Sequence, residues 1–259
     1  MTTDVVIIIA MESERIHLDT LLPGWEVIDH PVWQTRKHGC IVTITCGVGL
    51  INAAAATEYA ISTFQPQLVL NYGCAGAHVR DIYPGDVVIG QTVVHHGRMI
   101  FSPNGDIVPL GFGFTVPGDD EKSRQVKSDA ALVERAHAGA SSVAIPDWPR
   151  ELHVEGQPER APEVRIGTVS SGDIWLQHPE LIDAGHGRTE SLCEDMEAVA
   201  VGQIAAMHRL PFLTVKDISN SEFHEATVFD SDADALPTAQ VGLRAAIVIA
   251  GLLTDLGYS

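Results

Sequence analysis

Apolar and β-branched residues recur along the chain in short, nearly unbroken runs. These are DVVIIIA (4–10), CIVTITC (40–46), QLVLNYG (67–73), GDVVIGQTVV (85–94), VRIGTVSSG (164–172) and PFLTVKDIS (211–219). A run that is apolar at successive positions predicts a strand buried on both faces. Between the runs lie stretches whose apolar positions fall at helical spacing: LINAAAATEYAISTF (50–64), SLCEDMEAVAVGQIAAMHRL (191–210) and TAQVGLRAAIVIAGLLTDLG (238–257). Strands alternating with helices predict an α/β layer fold with helices on both sheet faces. Residues 101–163 break the rhythm and hold many of the Pro and Gly residues. They predict a loop-rich excursion with one helix near 124–140 and a loop at 145–163, the kind of segment that forms functional loops, interfaces or lids. No internal repeat or domain boundary is visible, so residues 1–259 are expected to form one domain.

Charge narrows the partners. The net charge is −18, from 34 acidic and 16 basic residues. A field of that sign repels phosphate backbones and anionic lipid, which argues against nucleic acid and membrane partners. It leaves a small neutral ligand open, and dispersed acid also serves solubility. The opening MTTDVVIIIAMESER has an apolar run too short to span a membrane and no basic start, so it reads as a first strand. Cys40, Cys46, Cys74 and Cys193 show no C-x-x-C spacing. Free thiols in a reducing cytosol are expected, with neither disulfide nor zinc site. The 12 histidines are scattered apart from the adjacent His95–His96, so no metal and no cofactor are predicted.

In open α/β sheets, ligands bind outside the C-terminal ends of the strands. Here those ends deliver Met11-Glu12-Ser13-Glu14-Arg15, Gly47-Val48-Gly49, Gly73-Cys74-Ala75-Gly76, Ser171-Gly172-Asp173-Ile174-Trp175 and Ser219-Asn220. Each has a plain structural reading. Gly47-x-Gly49 lacks the third glycine of a dinucleotide fingerprint. Glu12 and Glu14 suit the first turn of any helix. Together, small residues, carboxylates, an aromatic ring and an amide converge on one rim. Glu194, Asp195 and Glu197 crowd the start of an apolar helix, with Glu197 between Met196 and Ala198. A buried carboxylate needs donors, and paired sugar hydroxyls would supply two.

In order and spacing, AMESE, CGVGLINAAAAT, NYGCAGA, YPGDVVIG, SSGDIW, EDMEAVAV and VKDISN resemble the purine nucleoside phosphorylase and nucleosidase superfamily. The nearest branch is 5′-methylthioadenosine/S-adenosylhomocysteine nucleosidase, and the motifs span residues 5–220. The resemblance implies a three-layer α/β sandwich around a twisted mixed sheet, and cleavage of the N-ribosidic bond of a purine nucleoside in salvage or catabolism. It implies that Glu14 activates water and Glu197 grips the ribose hydroxyls, with Met196 under the sugar. Trp175 falls where an aromatic ring stacks on the base, Ser219 faces the base with Asn220, Val48 and Cys74 line the ribose and water, and Ile174, Ala75 and Gly76 are expected to contact the substrate. It also implies a homo-oligomer, a dimer or larger, with residues 101–115 the candidate contact.

The nucleophile follows from what is missing. Phosphorylases hold phosphate with arginines. The similar hexameric phosphorylases place Arg where this chain has Asn71, and a second Arg in the loop that here reads MESE. Water is therefore the expected nucleophile, with phosphorolysis the lesser reading. Arg15 is expected to face outward or pair with an acid, and Lys216 and Asp217 to serve packing or ion pairing. One position departs from the adenine-cleaving relatives: Asn220 stands where they place an Asp that protonates the purine. An amide donates and accepts but transfers no proton. Trimeric 6-oxopurine phosphorylases use an Asn at the analogous place. The expectation is therefore a nucleosidase for 6-oxopurine nucleosides, inosine-, guanosine- or futalosine-like. The alternatives are the adenine-type nucleosidase and, from another class, a catalytically silent nucleoside-binding or storage protein.

Overall fold

The structure is a computed structural model that describes residues 3–110, 125–227 and 236–258. Its first strand, β1 (Val5–Ile9), is fully buried. Val5, Ile7 and Ile9 face one core and Val6 and Ile8 the other, which is why the run is apolar at every position. β1 lies between and parallel to β4 (Ile41–Thr45) and β5 (Leu68–Ala77). Beyond β4 the sheet continues antiparallel through β3 (Gln34–His38) and β2 (Glu26–Ile28). On one face pack α1 (Glu12–Leu21), α3 (Ala130–Ala140) and α6 (Leu243–Asp255). On the other pack α2 (Leu50–Phe64) and α5 (Ala198–Met207).

On the far side of β5 the sheet curls. β12 (Phe212–Asn220) runs parallel to β5 and antiparallel to β6 (Val87–His95). β6 runs parallel to β10 (Val164–Ser171), and β10 to β11 (Ser191–Asp195). β11 then meets β5 antiparallel, at Cys193–Ala77 and Glu194–Gly76. β5, β12, β6, β10 and β11 thus close into a ring. β5 changes neighbours along one edge, from β1 at 68–72 to β11 at 76–77, while β12 holds the other edge. The mixed sheet between helical layers is the expected fold class.

Several boundaries differ from expectation. Residues 191–210, expected as one helix, divide into β11 and α5, joined at Met196–Glu197. Ser191, Cys193 and Asp195 alternate inward as a strand requires, but five residues are too few to separate strand from helix by period. The strand expected to end at Gly73 runs on to Ala77, because β11 supplies new partners. The expected helix near 124–140 is β9 (Gln125–Lys127), paired with β6, followed by α3. Asp129 caps α3, accepting from the Leu132 N–H at 3.1 Å. The last helix begins at Leu243, after Gly242 in the left-handed region. A hairpin of β7 (Met99–Phe101) and β8 (Ile107–Pro109) opens the excursion, and α4 (Pro179–Thr189) precedes β11. Of the candidate contact segment 101–115, residues 111–115 lie outside the described residues.

Candidate active site

The turn after β1 delivers Glu14 as the third residue of α1. Its Oε2 accepts from the Met11 N–H at 3.1 Å and its Oε1 from the Cys74 N–H at 2.7 Å. The side chain is 1% exposed. Two glycines make room for it. A Cβ on Gly73 would lie 2.7 Å from Oε1, and one on Gly242 would lie 2.9 Å from Cγ. Burial raises the Glu14 pKa above the ordinary carboxylate value, while the charge of Lys216 and the N–H groups of Cys74 and Met11 pull it back. Neighbouring Arg15 is buried rather than outward, paired with Asp19 and, at 3.2 Å, with Glu12.

Glu197 caps α5 and reaches across to α2, where its Oε1 accepts from the Gly49 N–H at 2.8 Å. Asp173 Oδ1 accepts from Leu50 N–H, also at 2.8 Å. Two carboxylates therefore satisfy the free N–H groups at the start of α2 and oppose its dipole. Gly49 permits this with φ +109°, and a Cβ there would lie 3.0 Å from Asp173 Oδ1. Burial, then repulsion from Asp195, pushes the Glu197 pKa up to about 8 against the pull of Lys216 and the Gly49 N–H.

Beneath these carboxylates, Lys216 Nζ lies 2.7 Å from Asp195 Oδ2. Burial opposes the ammonium charge, but Asp195, Glu197 and Glu14 together raise its pKa above the ordinary lysine value. Asp195 also accepts from Ala198 N–H at 2.8 Å and from the Ser171 hydroxyl, whose oxygen in turn accepts from Val199 N–H at 2.9 Å. The next residue, Asp217, points the other way, as strand alternation demands. It accepts from the Arg244 N–H at 2.9 Å, and burial pushes its pKa up to about 7. Asn71 is spent inside the sheet, donating to Ile8 O at 2.9 Å and accepting from the Thr214 hydroxyl at 2.8 Å.

At the end of β12, adjacent residues should point apart. The register instead slips between Ile218, opposite Ala75, and Asn220, opposite Gly76. This bulge re-aims the chain, and both Ser219 and Asn220 line the cavity. The Ser219 hydroxyl donates to Asn220 Oδ1 at 2.8 Å, and Asn220 Nδ2 donates to Glu222 Oε1 at 2.9 Å.

The structure brings Glu14, Val48, Cys74, Ala75, Gly76, Ile174, Trp175, Met196, Glu197, Ser219 and Asn220 around one cavity of about 120 Å³. Its wall also includes Met11, Glu194 and Asp195, and no arginine or lysine among the described residues. The sequence singles out neither Glu222 nor the Lys216–Asp195 pair as part of a site; Lys216 and Asp195 stand on different strands that only the fold brings together. His95 and His96 stand nearby. Burial lowers the pKa of both, and His96 Nε2 and His78 Nε2 lie 3.7 and 3.1 Å from Glu194 Oε2. Among the described residues, no group of three or more His, Cys, Asp or Glu side chains is placed to hold a metal ion. No helix among them is long and apolar enough to cross a membrane.

Comparison with known proteins places this cavity in context. The 5′-methylthioadenosine/S-adenosylhomocysteine nucleosidase of Geobacillus kaustophilus is 28% identical over 235 residues, 86% of each chain. The same enzyme from Neisseria meningitidis, solved in complex with methylthio-immucillin-A, superposes with a TM-score of 0.74. It is 23% identical and covers 98% of this chain and 99% of its own. Futalosine hydrolase of Helicobacter pylori superposes with a TM-score of 0.75 at 18% identity, with 98% and 99% coverage. The family profile described as the phosphorylase superfamily matches residues 4–253, which takes in every strand of the sheet and both Glu14 and Glu197: the chain belongs to the phosphorylase superfamily.

Proposed function

We propose that the protein is a purine nucleosidase that hydrolyses the N-ribosidic bond of a small nucleoside. The observation that carries this reading is the pair Glu14 and Glu197 on one cavity wall, each anchored by backbone N–H groups from a different segment. In this reading the ribose hydroxyls donate to Glu197, and Met196 packs against the sugar. Water is held at Glu14, whose raised pKa makes it a stronger base than a surface glutamate. As the C–N bond breaks, its electron pair goes to the purine and positive charge grows on the sugar. Glu197 in its ionised form offsets that charge, water adds to the sugar carbon, and its proton passes to Glu14. The departing purine takes up a proton from solvent, and Glu14 releases the one it gained, so the protons balance. Among the described residues, a cavity wall without arginine or lysine supports water over phosphate.

The named relatives support the 5′-methylthioadenosine/S-adenosylhomocysteine type of nucleosidase, which releases adenine, over the 6-oxopurine reading. One observation favours the second reading: the amide of Asn220 on the cavity wall, together with the similarity in fold to futalosine hydrolase. Four unpaired cysteines fit a reducing cytoplasm. The β7–β8 hairpin carries exposed Ile100, Phe101 and Val108, which suits contact with a second copy of the chain.

Incubation with methylthioadenosine, adenosine, inosine and guanosine, with and without phosphate, followed by assay of free base and free sugar, tests the substrate and the nucleophile. Release of base and free sugar without phosphate is expected. Strict phosphate dependence would overturn hydrolysis. Binding without release of any base would favour a silent nucleoside-binding protein.

A further inference from the structure

Glu222 lies two residues beyond Asn220 and is only 6% exposed. Four donors reach its carboxylate. Oε1 accepts from Asn220 Nδ2 at 2.9 Å, from the Thr227 hydroxyl at 2.6 Å and from Trp175 Nε1 at 3.3 Å. Oε2 accepts from the Thr227 N–H at 2.8 Å. Carboxylate oxygens only accept, so the nitrogen of the Asn220 amide, not its oxygen, must face Glu222. In this orientation the Ser219 hydroxyl donates to Oδ1, with Ala75 O a second acceptor for it at 3.3 Å. A flipped amide would set two acceptors against each other at Glu222, whereas the Ser219 hydroxyl could turn to Ala75 O and accept, so the lock rests on Glu222. Gly76 closes the remaining side, because a Cβ there would lie 3.1 Å from Nδ2.

An amide carries two N–H groups and two lone-pair sites on its oxygen. Here one of each is spent on Glu222 and Ser219. One donor and one acceptor remain, on a group that cannot turn over. An amide free to flip reads a purine edge in two ways. It can donate to N7 and accept from a 6-amino group, or accept from a protonated N7 and donate to a 6-oxo group. A locked amide reads one of them. Glu222 also holds the Trp175 ring nitrogen, so one oxygen ties the expected stacking ring to the amide that reads the base edge.

We propose that Glu222 is a positioning, specificity-determining residue: it locks the Asn220 amide, and discrimination between 6-amino and 6-oxo purines resides in the chain Glu222–Asn220–Ser219. The inference rests on the reading that Asn220 meets the base.

The test is the ratio of kcat/KM for methylthioadenosine to that for methylthioinosine, two nucleosides that differ only at the purine. It is measured in the native protein, Glu222→Gln, Asn220→Ala and the double variant. The ratio of Kd values for adenine and hypoxanthine gives a readout that needs no turnover. Both ratios are internal to a sample, so the folded fraction cancels. Gln can donate to Oδ1 as well as accept from Nδ2, so it frees the amide. The native ratio is expected to lie far from one, and Glu222→Gln to move it about tenfold toward one, the weight of one hydrogen bond. In the Asn220→Ala background, Glu222→Gln is expected to change nothing. If Asn220→Ala shifts the ratio and Glu222→Gln does not, the role of Glu222 is overturned while the reading of Asn220 stands. If neither shifts it, the reading of Asn220 falls. An equal shift by Glu222→Gln in both backgrounds would mean that Glu222 acts on the base directly or through Trp175, and would overturn its role in locking Asn220. Thr227→Val, which removes one donor from Glu222, keeps the test open should Glu222→Gln not fold. A smaller shift in the same direction is expected, and no shift counts against the proposal.

Discussion

Lys216 Nζ lies 2.7 Å from Asp195 Oδ2, with both side chains 1% exposed, and its charge also reaches Glu14 and Glu197. One ammonium therefore compensates three buried carboxylates. Lys216→Met should cost about 3–5 kcal/mol in urea unfolding, the usual effect of removing one partner of a buried pair. It should also let the Glu14 pKa rise further, because Lys216 is the largest influence holding it down. The acid limb of the kcat–pH profile should move to higher pH. An unmoved limb would show that Glu14 does not supply the base.

Glu197 gives a stability prediction with a definite sign. Its pKa is about 8 in the fold and 4.5 in the reference state, so the folded protein holds this proton more tightly. Below about pH 4.5 the group subtracts nothing. From there to about pH 8 it subtracts progressively more stability as pH rises, and beyond that no more. Asp217, raised to about 7, adds a slope of the same sign. Glu197→Gln should flatten, but not abolish, the fall in urea midpoint between pH 5 and 8. A steeper fall would contradict this.

Gly73→Ala would place a methyl 2.7 Å from Glu14 Oε1. The carboxylate is held by Cys74 and Met11 and has to leave that geometry. Steady-state kinetics should show kcat down roughly 10- to 100-fold, since small misplacements of a reacting group are costly, with KM changed far less. Equal damage to both would point to a general collapse of the site.

Asn220→Asp would set a second carboxyl against Glu222 Oε1, where Nδ2 now lies at 2.9 Å. Two carboxyls that close share a proton, so one of them stays protonated toward neutral pH. That restores an acid beside the purine. Adenine release should rise relative to hypoxanthine release and fade as the pair ionises at higher pH. Side-by-side product assays across pH 5–9 decide it, and an unchanged ratio at every pH would refute it.

The double-faced strands were legible because burial on both sides writes itself as unbroken apolar sequence, as in β1. α2 was legible from end to end, since fifteen residues give the helical period room to show. β11 was not, because five residues leading straight into a helix carry no separate signature. β2 and β3 sit at the sheet edge with largely exposed or half-exposed residues, so no apolar run marks them. In the site, Glu14, Glu197 and Asn220 could be picked out by motif and position. The Lys216–Asp195 pair could not, since only the fold brings β11 against one edge of β5 and β12 against the other. The bulge at Ser219 is likewise invisible in composition, yet it lets neighbours share one wall.

The closed ring of β5, β12, β6, β10 and β11 divides the cavity into a part that can stretch and a part that cannot. Gly76 stands in register with Asn220 on one edge and with Glu194 on the other. Widening the floor there would break main-chain bonds to two strands at once. The rim is different, built in part from the exposed Val48 and Ile174. Tolerance for bulk in a ligand therefore belongs to the mouth. A substituent that reaches outward meets movable side chains, and one that reaches Gly76 meets a hoop of backbone.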